Sequence, residues 1–200
     1  MRKIIYGALA LCAVAFSSCD NQKRLAEELS GEWTSGVEML PGVETADAQI
    51  IDNFAFVTDS TGKGGMIVAT GMIEVTVAPP FDGQVVESVS KGIAAQSTVQ
   101  GRWNVLDDDE VALLFDFSTM EVAVDTSAVS IDANLLGTQT QASTDSISGA
   151  ATAALTQQLA KALRDHYSSL RMLDDVKVKK DVLKFEVADK EYVMHRETTM

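Results

Sequence analysis

What most narrows the fold is a series of short segments with strand chemistry, separated by turn residues and interrupted by one long stretch of helical periodicity. Valine, isoleucine, threonine and aromatic residues dominate 33–37, 54–58, 66–77, 93–105, 111–117 and 120–124. These residue types pack well on a pleated surface. Thr61-Gly62-Lys63-Gly64-Gly65 and Asp107-Asp108-Asp109 supply turn chemistry for two hairpins. Within 112–117 the pattern has period two: Leu113, Phe115 and Phe117 share one face, and Ala112, Leu114 and Asp116 the other. Toward the C-terminus Val176 and Val178, then Leu183, Phe185 and Val187, alternate with lysines and Glu186, and Ala188-Asp189-Lys190 turns into 192–196. This predicts a three-stranded antiparallel meander with one wet face.

From about Asp145 to Leu170 the period changes. Leu155, Leu159, Leu163, Tyr167 and Leu170 recur every three or four residues, which predicts an amphipathic helix whose leucine stripe packs on the sheet. Ser143, Thr144 or Asp145 is the expected cap. The Ser-, Thr- and Gln-rich stretch 126–149 reads largely as a loop. The expected fold is therefore mainly β, antiparallel, with the helix inserted before the last three strands.

The N-terminus has a different character. Arg2 and Lys3 precede an apolar run from Ile4 to Phe16, followed by Ser17-Ser18-Cys19, the layout of a secretory signal peptide. The run is short against the roughly twenty residues a spanning helix needs. The site resembles the lipobox of bacterial lipoproteins, and that resemblance implies diacylglycerol on the Cys19 sulfur and cleavage just before it. The chain then divides into a signal peptide (1–18), a charged, lipidated tether that can turn helical (19–29) and a single domain (30–200), exported and anchored in the cell envelope, with the outer membrane as the expected site.

Composition excludes several function classes. Loss of Arg2 and Lys3 with the signal takes the net charge from −13 to −15, the wrong sign for phosphate neutralisation, so no nucleic-acid partner is expected. Cys12 leaves with the signal and Cys19 carries lipid, so the body keeps no thiol for a disulfide, a nucleophile or a soft metal site. His166 and His195 belong to no His-Glu-x-x-His arrangement, and each is expected to be a hydrogen-bonded structural histidine. The run Asp107 to Glu110 lacks the interspersed ligands of a calcium loop and reads as a solvated hairpin tip. Ser88-Val89-Ser90-Lys91 fits Ser-x-x-Lys, but the partner motifs of penicillin-interacting enzymes are missing. No catalytic set, metal or cofactor is expected, and the protein reads as a non-enzyme.

Gly31-x-Trp33 at the first strand resembles the Gly-x-Trp of the lipocalin family, and Arg196 stands where that family packs a basic residue on the indole. A second copy, Gly101-Arg102-Trp103, opens the strand pair that continues through Asp109 to Phe117. With the signal and lipobox, the layout looks like the bacterial lipocalin-like lipoproteins. The resemblance implies a lipocalin-like antiparallel barrel or half-barrel sealed by Trp33 and Arg196, holding a small hydrophobic ligand. Candidate lining residues are Phe54, Phe56, Met66, Met72, Leu113, Phe115, Phe117 and Phe185. The alternative is a lipoprotein without a pocket that docks on another envelope protein through 126–149 or the exposed part of the helix.

Overall fold

The computed structural model describes residues 21–43, 46–77, 92–125 and 141–197. Helix α1 (21–29) is followed by β1 (Gly31–Ser35), β2 (Glu38–Met39), β3 (Ala46–Thr58), β4 (Gly64–Val77), β5 (Gly92–Val105) and β6 (Val111–Val124). Helix α2 (Gln141–Ser169) then precedes β7 (Met172–Lys179), β8 (Val182–Val187) and β9 (Lys190–Arg196). Cys19 and residues 126–140 lie outside the described residues. No described helix is long and apolar enough to cross a membrane.

The strands form a closed antiparallel barrel of eight, with β2 outside it on β3. Closure depends on β1, which pairs with β3 through Trp33↔Phe54 and with β9 through Trp33↔Arg196. Of the two expected forms, barrel and half-barrel, the barrel is the one found. Each of the eight barrel strands has a neighbour on both sides, so the two-residue strand β2 is the short edge that remains. The shortest register is at β6–β7, with Val111↔Leu173 and Ala112↔Met172 as partners and the Leu113 N–H to Arg171 O and Val176 N–H to Asp109 O bonds, both 2.9 Å, flanking them. There α2 packs along β6, and its buried face (Leu159, Ala162, Leu163, Tyr167 and Leu170) joins the core. This is the predicted stripe, with Leu155 packed against the core at its start.

Three boundaries differ from the sequence expectation. The helix begins at Gln141, so the last nine residues of the expected 126–149 loop are helical, although serine, threonine, aspartate and glycine there are poor helix formers. Strand β3 begins at Ala46, because Asp47 and Gln49 occupy the outer face while Ala48 and Ile50 are buried. The expected strands 111–117 and 120–124 are one strand, β6, with an irregularity: Thr98 pairs with Glu121 but Gln100 with Asp116. The extra residues are tied down by Asp116, whose Oδ1 accepts from Ser118 N and Oγ at 3.0 and 2.6 Å. Finally, 21–29 is helical, as its sequence allowed, and it also packs: Leu25, Ala26 and Leu29 are buried in the core.

Candidate functional site

Strand alternation places Asp52, Gly71 and Ser97 in one row across β3, β4 and β5, where Asp52↔Gly71 and Gly71↔Ser97 are register partners. All three face inward and are buried. Asp52 and Ser97 are the polar members of the described buried set. A carboxylate in such a place is costly unless it is hydrogen-bonded, and α2 supplies the partners. Tyr167 donates its hydroxyl to Asp52 Oδ1 at 2.9 Å, and His166 Nε2 lies 2.8 Å from Asp52 Oδ2. The imidazole can donate through Nε2 whether it is neutral or charged. The Asp52 backbone N–H donates to Ser35 Oγ at 2.9 Å, bringing β1 into the same network.

Gly71 makes room for this arrangement. A Cβ there would lie 2.7 Å from Ser97 Oγ, 2.9 Å from Ile50 Cδ1 and 3.3 Å from the Tyr167 hydroxyl. Burial, and after it the Asp52 carboxylate, push the Tyr167 phenol far above its ordinary pKa. Ser97 Oγ has no hydrogen-bond partner among the described residues, although the hydroxyl is near enough to Tyr167 to favour the phenolate slightly. The network is thus a buried strut between α2 and the barrel wall. It holds a carboxylate, an imidazole and a phenol, but no nucleophile paired with a base in a cleft.

Around this strut the interior is aromatic. Trp103 meets Phe56 edge-on at 5.3 Å, Phe56 meets Phe54 at 6.3 Å, Phe54 meets Phe115 at 6.4 Å, and Phe115 meets Tyr167 at 5.1 Å. These are favourable edge and tilted geometries, and they link five buried aromatic side chains in the core. Of the predicted lining residues, Phe54, Phe56, Leu113, Phe115 and Phe185 belong to this core, and Phe117 is partly buried against it. Met66 and Met72 do not line the interior. They occupy the opposite parity on β4, face outward, and are 44% and 55% exposed.

The two predicted end residues are together. The Arg196 guanidinium lies 4.2 Å from the Trp33 ring centroid and donates to the carbonyls of Ser30 and Glu28, both at 2.8 Å. Trp33 Nε1 donates to Leu29 O at 2.7 Å. One cation thus binds the indole face and the C-terminal carbonyls of α1, which have no partners within the helix.

Outside the barrel, β3, β4 and β5 carry a shallow groove of about 300 Å³, lined on the outer face by Ile51, Met72 and Ala94 with Gln49, Glu74 and Gln96, and by Val37 from the turn before β2. A second depression of about 310 Å³ continues it across Ala94 and Gln96 to Ala123, Val124 and Asp125 of β6. Small residues at 94 and 123 keep the floor low; Met72 and Val37 give it an apolar wall.

Sequence reading missed Asp52 and the groove. Asp52 shares parity with Ile50, Phe54 and Phe56, and that alternation was the available signal for a carboxylate on the core face. The groove arises from β2 lying against β3, and no local pattern announces a strand of two residues. The described residues hold no group of three or more His, Cys, Asp or Glu placed to bind a metal ion. No protein-family model matches this chain, and a search of curated proteins finds no match to it either.

Proposed function

We propose that this chain is a non-enzymatic lipoprotein of the cell envelope, lipocalin-like in architecture, that binds a small hydrophobic ligand on the outer wall of its barrel. The observation that carries the reading is the contrast between an interior filled by Phe54, Phe56, Trp103, Phe115 and Tyr167 and an apolar groove of about 300 Å³ beside Met72. That volume is at the lower end of the range typical of small-molecule sites. Methionine suits such a surface, because its unbranched, polarisable side chain adapts to irregular apolar shapes. Gln49, Glu74 and Gln96 supply the few polar groups that orient a bound molecule.

Native mass spectrometry of residues 20–200, purified without detergent from the envelope fraction, tests the proposal when followed by solvent extraction. A discrete added mass released into the organic phase supports it. A clean unliganded mass with a second protein co-purifying replaces it with the docking alternative.

A further inference from the structure

The strongest unassigned feature is the position of the chain's entry into the fold. Helix α1 is described from residue 21, and the first described residues are held by two hairpin tips. Asn21 Nδ2 donates to Asp108 Oδ2 at 3.2 Å, Gln22 Nε2 donates to Leu106 O at 2.8 Å, and Lys63 Nζ donates to Gln22 Oε1 at 2.8 Å. The entry point is therefore fixed against the β3–β4 and β5–β6 hairpins. Cys19 is two residues upstream, and two residues span at most about 7 Å. A lipid on Cys19 cannot act as a long leash; it holds this end of the barrel at the bilayer surface.

The outer wall beside that end carries exposed apolar side chains. Val57, Met66, Arg102 and Leu114 follow one another across β3 to β6 as register partners, with Val57, Met66 and Leu114 at 59%, 44% and 70% exposure. Leu106 at the hairpin and Met172 on β7, opposite Ala112, extend the same region. Each lies within a few residues of the clamped entry, whereas Met72 lies toward the other end of β4. Arg102 has the long stem and charged head that let a side chain lie on apolar surface while its charge stays wet.

We infer that the barrel lies on the membrane that anchors it, with the Val57–Met66–Leu114 wall pressed into the lipid interface. This inference rests on the lipoprotein reading. The partner is the lipid surface, and the attraction is apolar. Asp107, Asp108 and Asp109 at the adjacent hairpin oppose anionic headgroups, so docking is strongest on zwitterionic lipid.

The test uses the full lipidated chain in phosphatidylcholine vesicles. Lipidation occupies Cys19, so Leu114→Cys and Met72→Cys each introduce a single reactive thiol for an environment-sensitive fluorophore, and lipid brominated on its acyl chains serves as quencher. The expected result is quenching of about twofold or more at position 114 and little at 72, as an apolar surface buried only to the acyl boundary requires. Equal responses from the two labels, in a chain whose intact mass includes the lipid, overturn the docking inference and leave the anchor standing. An intact mass without lipid overturns both.

Discussion

The Tyr167 hydroxyl donates to Asp52 Oδ1 at 2.9 Å inside a wall of apolar side chains, joining a helix to a strand 115 residues away. Tyr167→Phe keeps the ring among Phe54 and Phe115 but leaves one carboxylate oxygen short of its donor. The expected loss is about 1–3 kcal/mol, the cost of an unsatisfied buried group, measured by urea unfolding. Asp52→Ala removes the partner of both Tyr167 and His166, so the double variant loses less than the sum of the two single losses.

Alkaline pH reads the same contact. Folding holds the phenol of Tyr167 well above its ordinary pKa, through burial first and Asp52 second. A group whose folded pKa is raised contributes no pH dependence below its unfolded value. Above about pH 10 the unfolded chain ionises this tyrosine while the native chain does not, so stability falls as pH rises. Tyrosinate absorbance should therefore show a late step that coincides with loss of structure, and Tyr167→Phe should abolish that step.

Gly71 is expected to tolerate no side chain, although its backbone is ordinary strand. Gly71→Ala places a Cβ 2.7 Å from Ser97 Oγ, and overpacking of this kind costs about 1–3 kcal/mol. Adding Ser97→Gly should recover part of the loss, since it removes the closest of the clashing atoms. Thermal unfolding of the two variants checks this.

The β8–β9 turn offers a change in the opposite direction. Ala188 and Asp189 have φ of 49° and 66°, the mirror-image hairpin turn that favours Asn-Gly. Alanine pays a left-handed backbone penalty there. Ala188→Asn should stabilise the barrel by about 0.5–1 kcal/mol, a part of the roughly 1–2 kcal/mol left-handed penalty that asparagine relieves, and should leave ligand binding unchanged.

The helix stripe, the C-terminal meander and the inward Leu113–Phe115 face were legible because each repeats its period over several residues. The Trp33–Arg196 pair was legible through resemblance, since no local rule joins residues so far apart. Met66 and Met72 were expected on the inward face of an alternating strand, and the parity of β4 is the opposite: they alternate with Ile67, Ala69 and Ile73, which are buried. Closure itself could not be read from any one segment. It depends on β1 pairing on both sides, and a five-residue strand carries no signal for two partners.

Binding of a fluorescent apolar probe to residues 20–200, compared in the wild type, Met72→Glu and Phe115→Leu, most directly tests whether the ligand sits on the wall or in the interior. The account predicts that Met72→Glu weakens binding about tenfold or more, equivalent to about 1.4 kcal/mol or more, and that Phe115→Leu leaves it unchanged. Binding unaffected by Met72→Glu but altered by Phe115→Leu would contradict it and place the ligand inside the barrel.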